Sequence, residues 1–302
     1  MDARQLGYFL AIVDHGGFGR AAEHLHIAQP SLSQAMAGLE RELKIKLFVR
    51  AGRGVVLTDA GEQLVGPARR VIRDLDDARD VVRSARQLRR GRVDLVTMPS
   101  PGIEPLTTIM SAFSREWPAM TVNVAGVFTP EEVVETVVSG VAEIGFLGSS
   151  AKPYTADLTV RHIEDQPLVL ISPPGSGLPA GDAVERSQLT GLRLVVSQRG
   201  SLMRQLVDDV LASGADAHLV AEVAHRTSIL PLVMSGLGHA VMPSSWNSIA
   251  THVGAEVRRI EPSSVLRVSA VWRQDVLTPG AAAFLEVLDK HLDAEDSAEV
   301  DS

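Results

Sequence analysis

A short polar segment lies at residues 28–34, where the chain reads AQPSLSQ. Gln29, Ser31, Ser33 and Gln34 carry side chains that both donate and accept hydrogen bonds. Glutamine forms a paired hydrogen bond with adenine, and serine bonds to several groups of a base or phosphate. The chemistry open to this segment is therefore recognition through hydrogen bonds.

An apolar stripe predicts the helix that would position these polar residues. Leu32, Met36, Leu39 and Leu43 recur at spacings of three or four residues. Burial of this stripe would leave the polar residues at an exposed helix N-terminus, whose partial positive charge favours phosphate. Such a helix tip fits the major groove of DNA. The candidate DNA contacts on this helix are Gln29, Pro30, Ser31, Ser33 and Gln34.

A structural alternative remains open for the same residues. Ser31 and Gln34 match the S-x-x-Q pattern of a capping box, which would only start the helix. Pro30 would likewise fit a first turn without any contact to DNA.

The neighbouring segments predict a small helical domain with a β-hairpin. Residues 6–13 and 18–25 form two further predicted helices, separated by Gly16-Gly17. The segment LFVRAGRGVVLT predicts a tight hairpin with its tip at residues 51–54. Arg50 and Arg53 flank this tip and would contact the DNA backbone or minor groove. The alternative is a pair of solvated hairpin arginines.

Apolar residues recur every 3.5 residues on average over residues 58–90 and form a seam along the predicted helix. Thr58 is the predicted N-cap, and Gly66-Pro67 predicts a kink. A seam of this period is typical of a coiled coil and predicts dimerisation, whereas the alternative is a helix packed on its own chain. The seam positions, at alternating spacings of four and three, are Leu64, Ala68, Val71, Leu75, Ala78, Val82 and Ala85.

The net charge of −8 is unevenly distributed along the chain. Residues 1–90 hold 15 Lys and Arg against 11 Asp and Glu, whereas the remainder holds 14 against 26. This asymmetry fits a DNA-facing domain joined to an acidic one. The absence of cysteine excludes disulfides and thiolate metal sites. Without a cationic signal region or a long apolar run, the sequence predicts a cytoplasmic protein.

Predicted strands and helices alternate between residues 93 and 292, which indicates an α/β fold with parallel strands. The length of this part favours two lobes, approximately 91–160 plus 268–292 and 161–267. The full division is then a helical domain with a hairpin at 1–58, a long helix at 59–90, a two-lobed α/β domain at 91–292 and a disordered acidic tail at 293–302.

Loops after the predicted strands are the expected ligand site of such a fold. Arg199, His225 and Arg226 add positive charge to an acidic half of the chain, so we expect an anionic effector, such as a small carboxylate. The alternative is that the arginines pair with local acids and the hydroxyls only cap helices. The candidate effector contacts are Ser100, Thr129, Gly148, Ser197, Arg199, His225, Arg226 and Thr227; Phe128 is a further candidate for the cleft.

Other chemistries lack support in the sequence. His15, His24 and His26 have no partners at metal-ligand spacing, so no metal site is expected. Gly236-x-Gly238 follows a predicted helix, the reverse of the dinucleotide fingerprint. Ser201 lacks a nucleophile-elbow motif. We therefore expect neither catalysis nor a cofactor.

The N-terminal region resembles the winged helix-turn-helix of LysR-type transcriptional regulators without a gap over roughly residues 1–65. Residues 91–292 agree with that family mainly in the order and length of the elements. Ala28 and Gly17 with Gly19 depart from the family, which commonly has hydroxyl residues there. The matching elements are Ala21-Ala22, Leu25, Gln29-Pro30-Ser31-Leu32-Ser33, Leu39-Glu40, Leu43, Leu47-Phe48-x-Arg50 and Leu57-Thr58-x-Ala60-Gly61.

The resemblance implies a transcriptional regulator that binds double-stranded promoter DNA at an interrupted palindrome. It further implies a dimer through the linker helix, a tetramer built as a dimer of dimers, a small effector between two lobes, and RNA polymerase as a further partner. The competing hypothesis is a cytoplasmic small-molecule binding module without specific DNA binding.

Overall fold

The computed structural model describes the backbone of residues 1–51, 54–84, 91–150, 158–178, 181–212, 216–274 and 277–300. Side chains are described over the same ranges except at residues 50, 51, 54, 73, 74, 76–84 and 295–300. Arg53, Ala85 and the side chains of Arg50, Ala78 and Val82, all singled out in the sequence, therefore lie outside the described residues.

The N-terminal domain consists of three helices and a hairpin. The elements are α1 (Ala3–Asp14), α2 (Phe18–His24), α3 (Gln29–Leu43), β1 (Phe48–Ala51) and β2 (Gly54–Leu57). A capping box of Asp2 and Gln5 starts α1. One core holds the helices together, and α3 contributes Leu32, Met36 and Leu39 to it. The apolar stripe predicted from the sequence is thus the buried face of α3.

A long helix, α4 (Asp59–Ser84), links this domain to the rest of the chain. Thr58 accepts a hydrogen bond from the Gly61 N–H through its hydroxyl, at 3.1 Å, which confirms its predicted role at the helix start. Pro67 lies inside α4 without interrupting it. Ala68 packs in the N-terminal core, so this part of the seam is used within the chain. Val71 and Leu75, by contrast, are 42% and 37% exposed.

A sheet of β-strands runs through both lobes of the remaining domain. The strands of this sheet lie in the order β4 (Met120–Gly126), β3 (Gly91–Thr97), β5 (Ile144–Ser149), β12 (Val265–Trp272), β6 (Thr159–Ser172), β11 (Glu256–Glu261) and β7 (Ala183–Glu185). Strand β10 (Ala240–Pro243) also pairs with β6. The first lobe contains β3 (Gly91–Thr97), β4 (Met120–Gly126) and β5 (Ile144–Ser149), which are parallel. Its helices are α5 (Pro99–Ile103), α6 (Leu106–Glu116), α7 (Pro130–Val138) and α11 (Pro279–Val300).

The second lobe is built around a parallel pair of strands and shorter helices. Its strands are β7 (Ala183–Glu185), β8 (Arg193–Ser197), β9 (His218–Val223), β10 (Ala240–Pro243) and β11 (Glu256–Glu261). Its helices are α8 (Leu202–Ala212), α9 (Ile229–Met234) and α10 (Asn247–His252).

Two long strands, β6 (Thr159–Ser172) and β12 (Val265–Trp272), pass from one lobe to the other. Ile163 and Val268 lie in the core of the first lobe, whereas Leu168 and Leu266 lie in the core of the second. The lobe boundary predicted at residue 161 is therefore displaced toward 168. The sequence pattern missed the amino-terminal half of β6 because polar residues there alternate with few apolar ones.

Two further differences from the sequence expectation concern edges of the domain. Strands β7 and β11 were not predicted, since both are short or rich in charge. The expectation of a disordered tail from residue 293 was wrong for the backbone through Val300, which continues α11. The tail contains no Gly or Pro and has several Ala and Glu, which are good helix formers. Residues 301–302 lie outside the described residues.

Candidate nucleic-acid interface and ligand cavity

The N-terminus of α3 presents its polar residues to solvent. Ala28 is the N-cap residue, and no side chain caps the helix. The capping-box interpretation of Ser31 and Gln34 is therefore wrong, because Ser31 lies three residues inside the helix rather than at its cap. The polar candidates, all exposed, are Gln29, Pro30, Ser31, Ser33 and Gln34.

The electrostatics of this tip favour an anion. The first turn of α3 contains no acidic residue. The first amide groups of a helix lack intrahelical partners and carry the positive end of the helix dipole. Directly below the tip, Leu32 is completely buried, so the polar face is anchored on the core. The arrangement is suited to hydrogen bonding with phosphates and base edges.

Ala28 and Gly17, which depart from the family pattern, both lie at the start of a helix. Both residues are N-caps, of α3 and α2 respectively, and neither helix has a side-chain cap. Gly17 has φ of 148°, a region that favours glycine, so a hydroxyl residue there would strain this turn. Gly19 follows within α2.

Glu40 of α3 fixes the hairpin next to the helix, a role that the sequence analysis missed. Its carboxylate accepts hydrogen bonds from the N–H groups of Leu47 and Phe48 at 3.0 and 3.3 Å, and from Lys46 Nζ at 2.6 Å. Burial acts to raise the pKa of Glu40, but these bonds outweigh it and hold the pKa below its ordinary value. In the hairpin, the backbone of Arg50 pairs with Val55.

A cavity of about 610 Å³ lies between the two lobes. Thr129 and Gly148 line it from the first lobe, and Arg226 lines it from the second. Phe128, the further candidate named from the sequence, also contributes to the wall. Such a volume is in the range of small-molecule sites. The cleft expected from the order of strands and helices is therefore present in the structure.

Arg226 is the notable charge of this cavity. Its residue is only 5% exposed, and Nη1 has no hydrogen-bond partner among the described residues. Burial lowers the pKa of Arg226 to about 10. A buried guanidinium without a carboxylate partner is costly unless an anion binds to it. Arg226 is therefore a candidate contact for a negative group in this cavity.

The remaining effector candidates lie around the cavity or away from it. Ser197 contacts it indirectly, since its hydroxyl is 2.6 Å from that of Ser201, a lining residue that also caps α8. The ring centroid of His225 is 6.1 Å from that of Phe128.

Three further candidates, like Ser197 and His225, are absent from the cavity wall. Ser100 is fully buried in α5, where Met98 is the N-cap, and its hydroxyl has no partner in the described structure. Thr227 is exposed. Arg199 is absent from the cavity wall; a hydrogen bond from Arg204 is the main cause that lowers the pKa of Glu222, and the charge of Arg199 adds to it. Arg199 thus influences a local acid, in line with the pairing alternative, whereas Nη1 of Arg226 has no hydrogen-bond partner among the described residues.

Helix α7 connects the cavity to the linker helix α4 through direct contacts. Helix α7 lines the cavity and ends at Ser139. Arg70 of α4 donates a hydrogen bond from Nη1 to the Ser139 carbonyl at 2.9 Å. A Cβ at Gly66 would lie 2.6 Å from the same carbonyl oxygen, so glycine permits this close approach. The ligand-facing helix thus contacts α4 within the chain.

A winged helix-turn-helix joined by a long helix to a two-lobed ligand-binding domain defines a class of ligand-responsive DNA-binding regulators. Comparison with family models is in agreement: residues 3–62 match the bacterial regulatory helix-turn-helix protein, lysR family, and residues 86–293 match the LysR substrate binding domain. The chain belongs to the LysR family of transcriptional regulators.

Individual relatives cover nearly the whole chain. An uncharacterized HTH-type transcriptional regulator, YnfL of Escherichia coli K12, is 28% identical over 90% of this chain and 92% of its own length. TcbR of Pseudomonas sp. P51 is 27% identical over 95% and 97%. The full-length CbnR structure in complex with its target DNA has a TM-score of 0.72, with 25% identity over 96% of this chain and 99% of CbnR. The competing hypothesis of a small-molecule binding module without specific DNA binding is not favoured.

Within the described part of the chain, each helix is too short or too polar to span a membrane.

Proposed function

We propose that the N-terminus of α3 enters the major groove of promoter DNA. The observation that carries this proposal is the exposed, uncapped tip of α3, whose polar side chains stand over a completely buried Leu32. Gln29, Ser33 and Gln34 would contact base edges, while Pro30 and Ser31 would lie against phosphate. Arg50 and Arg53 on the hairpin would contact the backbone or minor groove.

The chain acts as a dimer in this proposal. Val71 and Leu75 are exposed on the linker helix at seam positions, where a second α4 would cover them. Two DNA-binding heads would then occupy two half-sites of an interrupted palindrome. In this proposal the DNA-binding domain comprises residues 1–58, the linker helix residues 59–90 and the effector domain residues 91–292. The family implies a tetramer as a dimer of dimers, with RNA polymerase as a partner at the promoter.

A small anionic effector between the lobes would regulate this binding. Arg226, Thr129 and Gly148 line the cavity that would hold it. Helix α7 would carry the signal, because it contacts the cavity at one end and Arg70 of the linker helix at the other. An effector shifts DNA binding only if its affinity differs between the two arrangements of the lobes.

A gel-shift titration with DNA from upstream of its own coding sequence tests the DNA-binding proposal. Gln34→Ala should weaken specific binding by about 1–3 kcal/mol, since a bidentate base contact is lost. Gln63→Ala is the matched control, because Gln63 is an exposed glutamine on α4, outside α3. Equal binding by both variants, with unchanged sequence preference, would overturn base recognition by Gln34.

A further inference from the structure

The cavity wall contributed by α7 is negatively charged. The opposite face of α7 is buried through Val133 and Val137, so the orientation of the helix is fixed. Its cavity-facing residues follow the spacing of one helical stripe, with two carboxylates interleaved with two apolar side chains. The members of this stripe are Glu131, Val134, Glu135 and Val138.

The spacing of these two glutamates does not favour helix stability. Like charges four residues apart destabilise a helix. Glu131 lies in the first turn, where the helix dipole favours it, but Glu135 lies in the carboxyl-terminal half, where it gains nothing from the dipole. Neither carboxylate forms an ion pair within the described residues. The two carboxylates on this wall are therefore available to pair with a cationic group.

The wall contributed by the second lobe has the opposite sign. Arg226 lies there, nine-tenths buried and with Nη1 unpartnered. The N-terminus of α8 at residues 200–203 lines the same wall and adds the positive end of a helix dipole. Burial lowers the pKa of Arg226, and no carboxylate offsets this effect. Glu131 and Glu135 are therefore not ion-pair partners of Arg226 in this arrangement.

The remainder of the cavity between these charges is largely apolar. Met98, Leu202 and Leu266 contribute aliphatic or thioether surface, and Phe128 contributes an aromatic ring. A ligand that met the two charged walls would therefore need an apolar part between or beside its charged groups.

We propose that the effector is an amino carboxylate, with its carboxylate at Arg226 and its ammonium group at Glu131 and Glu135. This inference rests on the proposed effector role of the cavity and narrows the ligand class from an anion to a zwitterion. A zwitterion satisfies both walls at once, because each charged group replaces lost hydration with an opposite charge. It also draws the two lobes together, since its two ends bind different lobes.

Isothermal titration calorimetry on the full chain with four ligands of equal carbon number tests the proposal. The ligands are hexanoate, hexylammonium, 2-aminohexanoate and 6-aminohexanoate. At least one aminohexanoate should bind about tenfold or more tightly than hexanoate and hexylammonium, because each of them lacks one charged contact. Hexanoate binding as tightly as both aminohexanoates, or no binding by any ligand, would overturn the proposal.

The double variant Glu131→Gln, Glu135→Gln tests the assignment of the ammonium site. Glutamine keeps the size of each side chain, so the fold should persist, which thermal unfolding verifies. The preference for the aminohexanoate over hexanoate should disappear in this variant. Glu286→Gln, which removes an exposed negative charge from α11 of the same lobe, should retain it. A preference that survives in the double variant would refute the assignment.

Gel shifts on the same preparations separate this inference from the proposed function. Specific promoter binding without any amino carboxylate binding would refute the ligand class alone. An aminohexanoate that binds in the cavity but leaves promoter binding unchanged would support the ligand class and refute the effector role.

Discussion

The tip of α3 and the cavity between the lobes use polar groups in opposite ways. At the tip, Gln29, Ser33 and Gln34 are exposed, so water hydrates them until DNA replaces it. In the cavity, Arg226 is buried, and its Nη1 has no hydrogen-bond partner in the described part of the chain. The first surface gains affinity by adding many modest contacts, whereas the second concentrates its effect in one desolvated charge.

A second arginine of the same lobe shows what full pairing does. Arg204 is 3% exposed, and its guanidinium binds Asp208 at 2.7 Å and Glu222 at 2.6 Å. Hydrogen bonds to Asp208 and Glu222 raise the pKa of Arg204, whereas burial lowers the pKa of Arg226. The two arginines thus differ: Arg204 is held by two carboxylates, whereas Nη1 of Arg226 has no hydrogen-bond partner among the described residues.

The largest expected effect separates the polar tip of α3 from its buried face. Leu39→Ala should lower the free energy of unfolding of the N-terminal domain by about 2–5 kcal/mol, because Leu39 is completely buried. Ser33→Ala should change it by less than about 0.5 kcal/mol, since Ser33 is exposed. Urea denaturation measures both values. Comparable losses in the two variants would contradict the division of α3 into a core face and a DNA face.

Removal of each buried arginine tests the contrast within the second lobe. Arg204→Met should destabilise the chain by about 1–3 kcal/mol, since two charged hydrogen bonds are lost. Arg226→Met should leave the free energy of unfolding unchanged or raise it, because an unpaired buried charge is replaced by an apolar side chain. Thermal unfolding without ligand measures the difference. If Arg226→Met were the more damaging variant, Arg226 would be structural.

Glu40→Gln probes how the hairpin is held against α3. We expect a loss of about 1 kcal/mol in the free energy of unfolding at pH 7, because the charged bond to Lys46 is removed. The pKa of Glu40 is lowered in the folded state, so its contribution is complete above the unfolded pKa and declines as the pH falls through the folded pKa. Denaturation across pH 3–7 should therefore show the two proteins converging toward acid pH. A constant difference would refute this linkage.

The smallest expected effect on stability comes from the contact between the lobes and the linker. Arg70→Ala should cost at most about 1 kcal/mol, since it removes one hydrogen bond, to the Ser139 carbonyl. Its effect should instead be seen in coupling: an aminohexanoate should change promoter affinity less than in the unsubstituted chain. Arg115→Ala, on α6, is the control. Unchanged coupling in Arg70→Ala would exclude this contact as the route.

Local patterns were sufficient for the N-terminal domain. The stripe Leu32, Met36 and Leu39 predicted both the buried face of α3 and the exposure of its polar tip. Likewise, alternating strands and helices predicted the α/β class. These features depend on the period of one element, which neighbouring residues define.

Long-range packing decided what the sequence pattern left open. Of the two candidate arginines, Arg226 lines the cavity and Arg199 does not, which depends on how the segments after β8 and β9 pack in the folded lobe. The carboxylates of Glu131 and Glu135 became a cavity wall only once α7 had buried its opposite face.

The sequence by itself determined the helix-turn-helix, the linker seam and the α/β class of the domain that follows. Each of these features depends on the spacing of residues that are only a few positions apart. Only the tertiary structure decided where β6 and β12 cross between lobes, which arginine stays unpaired, and which charges face each other across the cavity. The strand pairing and the two cavity walls join residues that are far apart in the sequence, and the energies of all three features depend on burial and on the partners that folding brings near.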